Sequence, residues 1–493
     1  MCICGPDFEQ ADSTLTMTVM NQRADWSNNP WLFIGLPMLG AVVAWLLPSA
    51  SLWFNPLLKI YVDLLNLFVV PLILLAIVFG LANFSRLPNS PVRFLVAVSL
   101  GFAGLLACGA VALVVGALLS PGSGLTEMNQ WNLGQLSLNH ESIQTLHLFE
   151  ASEHPPDGLV YEFVPDNLFH AFANESLGLS MVGALILGLG FALLPTKVSK
   201  PLFDRLEFIY QALEILITTI NKMLPMVAFA YAVHLMAGIG QGGLGLISEF
   251  MKPFVISVLF SGGFLLWVIS FSAGTSILKT MGALKESLLI SFLARNSAAG
   301  VPSVIHCLCD IFGFRRAMVK FFAPLFPFFF QAGEVIFLTL LAMFVANLYQ
   351  SPLSPLDHLQ ILMLSMFCSF VSRAMVGSGT LIMAGYMNQF FKLPFEAILP
   401  AFVIIEMVVA GFKSVLSVLL SCAVISVISK GLSRETQTDE ADTEAVPKHS
   451  PIAFSIDKPA LMVLAAMVLA LLITVFSIGV GLGARMPGGL AFF

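Results

Sequence analysis

The sequence predicts an all-helical protein that crosses a membrane many times. Three observations carry this. First, 58% of the 493 residues are hydrophobic and only 11% are charged, against roughly 25% charged in an ordinary soluble domain. A soluble fold of this length lacks the interior to hide so much apolar surface. Second, the apolar residues form long unbroken runs rather than the roughly ten-residue alternating strands of a membrane barrel. Only helices and closed barrels satisfy their backbone in lipid. Third, the 38 glycines suit membrane helices, where glycine is commoner than in soluble ones. The net charge of -6 gives no basic field for a polyanion, so nucleic acid is not an expected partner.

The spans follow in order. Residues 1–30 are a polar tail. The run Trp31 to Leu47 is followed by Pro48 and more apolar sequence, so it reads as a retained first span rather than a cleaved signal. Further spans are expected near Ile60 to Asn83, Phe94 to Leu119, Val164 to Leu194, Glu207 to Met236 and Pro253 to Leu278. Each is long enough to cross about 30 Å of hydrocarbon. Residues 121–163 form a long acidic loop between the third and fourth spans.

The next stretch changes character. Residues 287–312 are broken by Gly300 and Pro302 and carry Arg295. The apolar run Phe321 to Asn347 holds Gln331, Ala332, Gly333 and Glu334 at its centre. Residues 359–391 are interrupted by Arg373 and by Gly377, Ser378 and Gly379, and Phe395 to Ser429 contains Glu406 and Lys413. Broken backbone at membrane depth is tolerated only where it lines an enclosed cavity. Two such interruptions, each followed by an apolar run with a polar centre, form a duplicated unit of the kind that marks a transport site. A polar linker (431–458) leads to one more apolar run, Leu461 to Gly483, within an extra C-terminal segment (459–493).

Lysine and arginine set the orientation. Arg86, Arg93, Lys197, Lys200, Arg205, Lys279 and Lys285 lie in loops on one side, while no Lys or Arg occurs between Arg93 and Lys197. The positive-inside rule then puts the N-terminus in the cytoplasm and the 121–163 loop outside. The two interrupted segments enter from opposite faces, as re-entrant hairpins of an inverted repeat.

The remaining reactive side chains point to no enzyme and no metal centre. Cys108, Cys368 and Cys422 lie in apolar runs and pack as small hydrophobes. Cys2/Cys4 and Cys307/Cys309 are C-x-C pairs without a second pair at zinc spacing, and His140, His147 and His154 lie in a polar loop. No span carries a nucleophile–base set or an H-E-x-x-H motif.

Several motifs resemble the dicarboxylate/amino acid:cation symporter family, the glutamate-transporter family, over about residues 31–430. Val62 to Ile73, with its Val69-Val70-Pro71-Leu72 core, is similar to that family's second span. Val164 to Asn174 resembles its I-P-x-N-x-x-x-A-x-A-N entry to the fourth span. Lys285 to Phe292 resembles the approach to its first hairpin, with Pro302 after the tip. The resemblance implies eight spans, two re-entrant hairpins and a homotrimer in the cell (inner) membrane. Residues 31–93 and 164–252 would form a fixed scaffold, and residues 94–120 and 253–430 a mobile transport domain. No cofactor is implied. The solute would be a small anion, a dicarboxylate or acidic amino acid, with sodium or a proton as the coupling ion.

The resemblance also places the site, and there the chain departs from the pattern. The serine-rich tip is here Arg295, Asn296, Ser297, Ala298, Ala299 and Gly300. The family's sodium-coordinating N-M-D-G-T motif matches Phe330, Gln331, Ala332, Gly333 and Glu334, which keeps only the glycine. In the eighth span two registers remain. In one, Glu406 falls near the family's first aspartate, Ala410 at the amino-binding aspartate, Lys413 at the carboxylate-binding arginine, Ser417 at the asparagine and Ser421 at the sodium-binding aspartate. In the other, Glu406 is itself the amino-binding acid and Lys413 replaces the asparagine. The first puts Glu406, Lys413, Ser417 and Ser421 on one helical face. Arg295, Asn296, Ser297, Arg373, Ser378, Glu406, Lys413 and Ser417 are thus the expected substrate-binding residues. Gln331, Gly333, Glu334 and Ser421 are the expected cation-coupling positions. Fixed charges at membrane depth are costly unless paired, so ion pairing is expected, with the sodium sites largely lost. A derivative that is a channel or sensor and no longer transports is the second reading.

Overall fold

Length and apolarity make the elements, and small residues set how closely they pack. The structure is a computed structural model that describes residues 30–46, 51–85, 89–123, 177–193, 196–221, 223–239, 244–372, 379–393 and 398–429. The N-terminal tail, nearly all of the 121–163 loop, the polar linker, the C-terminal segment, Arg373 and Ser378 lie outside the described residues. The elements are α1 (Pro30–Leu46), α2 (Ser51–Phe84), α3 (Ser90–Leu119), α4 (Leu177–Leu193), α5 (Thr196–Asn221), α6 (Leu224–Ile239), α7 (Leu244–Ala273), α8 (Ile277–Ala294), α9 (Val301–His306), α10 (Arg316–Phe329), α11 (Ala332–Leu348), α12 (Pro355–Ser372), α13 (Gly379–Phe390) and α14 (Leu399–Ile428). No strand occurs among the described residues.

By length and composition, six stretches among the described residues can cross a membrane: Leu67–Phe84, Ser90–Leu119, Ser248–Ala273, Arg316–Leu348, Pro355–Ser372 and Ile405–Ile428. Large apolar side chains such as Leu67, Leu118, Phe260, Trp267 and Phe367 are exposed on the outside of these helices. Such a surface belongs in lipid or against another apolar surface. The chain is a multi-pass membrane protein.

The run Glu207 to Met236, which the sequence presents as a single span, is divided between α5 and α6. Pro225 is the second residue of α6, where a missing amide costs nothing because the first turn has no intrahelical acceptor for it. The apolar run around residues 331–334 is likewise divided, between α10 and α11.

Helix α1 packs on α6, and α2 packs on α4, α5 and α6. Helices α3, α7, α8, α10, α11 and α14 pack mainly among themselves, with α12 and α13 against α11. The two groups meet where α6 touches α8 and α14 and, mainly, where α10 lies along α2. There a Cβ on Gly80 would stand 2.5 Å from the Phe321 Cα, so only glycine permits this approach. Phe84 stacks on Phe321 beside it, with ring centroids 5.1 Å apart.

Helix α11 is the axis of the second group. Its residues Ala332 through Ala346 are all buried, as a helix apolar on every side must be. Phe250, Phe344 and Phe402 interlock around it, with edge-to-face centroid distances of 5.4 to 6.0 Å. Helix α3 fits against α11 and α14 through small residues. A Cβ on Gly104 would meet Leu420, and one on Gly116 would meet Met343.

Helix α8 turns back on itself at residues 295–300. Arg295 takes a left-handed conformation (φ 54°) and ends the helix, its amide donating to the Phe292 carbonyl at 3.3 Å. The Asn296 side chain then accepts from the Ala298 amide at 3.0 Å. A short 3-10 turn (Ser297–Gly300) leads into α9, which continues as a wider turn to Ile311. The two arms are joined by small polar groups: Ser287 donates to Ser303 at 3.0 Å, and Cys307 to the Ala283 carbonyl at 3.3 Å. A Cβ on Gly300 would collide with the Ser291 hydroxyl.

Candidate functional site

The site begins with a break in a helix. Pro324 and Pro327 in α10 offer no amide to the preceding turn, and each such position leaves a carbonyl to be satisfied elsewhere. At Phe330 and Gln331 the backbone leaves the helical region (ψ 81° and 80°). Two side chains cover the exposed carbonyls of this turn. Gln331 donates to the Phe328 carbonyl at 3.0 Å, and Ser297, from the turn after α8, donates to the Pro327 carbonyl at 3.3 Å. Helix α11 thereby starts inside the protein, with Glu334 in its first turn. A carboxylate there is favoured by the positive end of the helix dipole.

Gly333 brings this helix start onto α14. A Cβ at Gly333 would lie 2.2 Å from the Lys413 Cα and 2.6 Å from its carbonyl oxygen. Backbone therefore packs on backbone, and Glu334 reaches Lys413. The Lys413 ammonium lies 2.8 Å from Glu334 Oε2, 2.6 Å from Glu406 Oε1 and 2.8 Å from Glu406 Oε2. It also lies over the Phe337 ring, 4.8 Å from the centroid, a cation–π contact. The side chains of Glu334, Lys413 and Glu406 are 3%, 9% and 24% exposed, so the pairing is nearly dry for the first two. Taking one partner from such a buried set costs about 3–5 kcal/mol, because it strands a charge.

The set holds two carboxylates and one ammonium. Glu334 Oε1 is buried with no hydrogen-bond partner, as is the Ser421 hydroxyl one helical stretch further along α14. Ser417 donates back to the Lys413 carbonyl at 3.0 Å, and Ser414 to the Ala410 carbonyl at 3.1 Å. Among the described residues no three His, Cys, Asp or Glu side chains gather as a metal cluster.

Arg295 approaches the same helix through Tyr231. Its guanidinium lies over the Tyr231 ring, 4.9 Å from the centroid. The Tyr231 hydroxyl donates to the carbonyl of Met407, the residue after Glu406, at 2.6 Å. The arm of α8 presses on α14 a turn further: a Cβ on Gly411 would lie 2.6 Å from the Phe292 carbonyl oxygen, and Phe292 and Phe412 meet edge to face at 4.9 Å. Glu334, Glu406 and Lys413 are thus brought together, while Arg295 is linked to the same helix through Tyr231. Asn296, Ser297, Gln331 and Ser417 bond the backbone that shapes the site, and Gly333 supplies the close approach. Tyr231 and Phe337, the aromatic faces under the two cations, were not singled out by the sequence. The only signal was that Tyr231 is one of just 6 tyrosines in a membrane-dominated chain.

An ionisable cluster enclosed at a helix break, inside a bundle of spanning helices, defines the class of polytopic transporters. The particular family is shown by comparison: the chain matches the Sodium:dicarboxylate symporter family over residues 29–431 and belongs to it. It is a transporter rather than an enzyme. A C4-dicarboxylate transport protein of Xylella fastidiosa is 24% identical over 365 residues, covering 74% of this chain and 79% of the relative. One from Rhodospirillum rubrum is 25% identical over 362 residues (72% and 77%), and one from a Geobacter species 25% over 351 residues (70% and 77%).

Proposed function

We propose that the protein is a secondary transporter that moves a small dicarboxylate across the cell membrane without the sodium ions its family name implies. The observation that carries this is the ammonium of Lys413 held between Glu334 and Glu406. Sodium needs several oxygen ligands and a carboxylate to offset its charge. Here Glu334, at the helix break, and Glu406, on α14, already close on a tethered cation. Side chains that would have ligated a metal are replaced by Phe330, Ala332 and Ser421. Lys413 thus does electrostatically what a bound sodium ion would do, and coupling is by proton or absent. The family's relatives named for C4-dicarboxylates and the cations Lys413, on α14, and Arg295, near it, both favour a carboxylate solute.

In this reading α3 and α7–α14 slide as one body against α1, α2 and α4–α6, in a homotrimer with the N-terminus in the cytoplasm. The glycine-mediated meeting of α2 and α10 is the surface that slides. The turn 295–300 is the tip of one re-entrant hairpin, and α12 and α13 are the arms of the opposed one.

Uptake of radiolabelled succinate by proteoliposomes tests this. Saturable uptake of equal rate with sodium or choline outside is expected, together with its loss in Lys413→Gln. A rate that climbs steeply with an imposed sodium gradient would refute it.

A further inference from the structure

We propose that Glu406 is a tethered stand-in for the solute's carboxylate, which leaves Lys413 when the solute binds and so sets the affinity and selectivity of the site. This rests on the reading of Lys413 as the solute's anion-binding residue.

An ammonium has three hydrogen-bond donors and no more. Lys413 has three carboxylate oxygens within 2.8 Å, one from Glu334 and two from Glu406. An incoming carboxylate finds no open donor on it. Binding at Lys413 is therefore an exchange, in which one resident carboxylate lets go.

The two residents are unequally held. Glu334 is 3% exposed and sits at the start of α11, one residue from the Gly333 contact that locks this helix onto the Lys413 backbone. Its withdrawal would leave a charge unpaired in a nearly dry interior. Glu406 is 24% exposed and shares α14 with Lys413, two turns away, so it can change rotamer while the helices stay in place. It grips the ammonium with both oxygens, as the carboxylate of a free acid would. A second cation waits nearby: Arg295 lies over Tyr231, whose hydroxyl is fixed to the carbonyl of the very next residue, Met407. A Glu406 carboxylate released from Lys413 stays next to the residue of α14 that Tyr231, itself under Arg295, holds by its carbonyl. One anion replaces another on Lys413, so the ammonium is not left unpaired by the swap.

The consequence is specific. A carboxylate tethered in the binding position competes with every acid in solution, so its removal strengthens binding rather than weakening it. An acid must also present a free carboxylate to evict it, which disfavours esters and amides of the same size.

The test is succinate binding to the purified full-length protein by isothermal titration calorimetry. Glu406→Gln is expected to bind succinate about tenfold more tightly than wild type, a gain of about 1.4 kcal/mol. Glu406→Asp keeps the charge but shortens the reach, and a smaller gain is expected. It also serves where the glutamine variant fails to fold, as judged by size-exclusion profile. Lys413→Gln is expected to abolish binding, and adding Glu406→Gln to it should give no gain. If Glu406→Gln and Glu406→Asp bind no better than wild type while Lys413→Gln loses binding, the exchange is wrong and the anion reading stands. If Lys413→Gln binds succinate as wild type does, or if succinate binds to none of these proteins, the anion reading fails and the exchange fails with it.

Discussion

Two cations lie at α14, Lys413 on the helix itself and Arg295 linked to it through Tyr231, each over an aromatic ring at nearly the same distance, yet they are held in different ways. Lys413 lies 4.8 Å from the Phe337 centroid and is gripped by two glutamates in a nearly dry interior. Arg295 lies 4.9 Å from the Tyr231 centroid, half-buried at a turn that ends a helix. The difference separates two jobs. A buried ion set fixes how helices meet, and every member is costly to lose. A half-exposed cation over a ring contributes little to the fold and keeps its charge ready for a second carboxylate, besides the one that Lys413 exchanges.

The sharpest way to break this contrast is to remove the charges one at a time and then together. Lys413→Met strands two carboxylates and is expected to destabilise the protein by about 3–5 kcal/mol, read as a large drop in thermal midpoint in detergent. Replacing the whole set (Glu334→Leu, Glu406→Leu and Lys413→Met) should recover much of that loss, since an apolar core of similar volume often matches a buried ion set. Transport should not return. A triple variant no more stable than Lys413→Met would show that the ions are needed for the fold itself.

Gly333→Ala comes next. Its Cβ would enter the Lys413 backbone, where no side chain can rotate away. Overpacking of this kind costs about 1–3 kcal/mol or more. The expected result is a lower midpoint together with loss of succinate binding, because Glu334 and Lys413 are pushed apart. Ser297→Ala leaves the Pro327 carbonyl without its donor and should cost about 1–3 kcal/mol. Arg295→Gln should move the midpoint least, by about 0.5–1 kcal/mol for the ring contact, while reducing succinate uptake severalfold. A large fall in stability with unchanged uptake would reverse the roles given to the two cations.

Much of this arrangement was legible in the sequence, and the legible parts share a cause. Apolar runs of membrane length specify helices whatever they pack against. The polar break at Gln331 to Glu334 was visible as an interruption of such a run, and Glu406 and Lys413 as two charges on one face of α14. Their cost in an apolar interior is what made a pairing expected. The long-range partners were not legible. That Glu334 meets Lys413 depends on Gly333 letting two backbones touch, and a glycine does not announce its neighbour. Asn296 and Gln331 read as ligand-binding polar side chains, yet their partners are a local amide and a local carbonyl. Broken helices create unpaired backbone groups, and the nearest polar side chain satisfies them first. Tyr231 and Phe337 looked like apolar filling, because the sequence does not show which aromatic faces a cation. The division between α5 and α6 was missed for a similar reason: Pro225 in the first turn of a helix leaves no mark on hydropathy.

The most direct measurement is the thermal midpoint of wild type and of Lys413→Ala in sodium chloride and in choline chloride of equal ionic strength. If Lys413 takes the place of a bound sodium ion, the wild-type midpoint is the same in both salts. Lys413→Ala, with two carboxylates left open to a small cation, is then raised specifically by sodium. A wild-type midpoint that rises in sodium but not in choline would contradict the account.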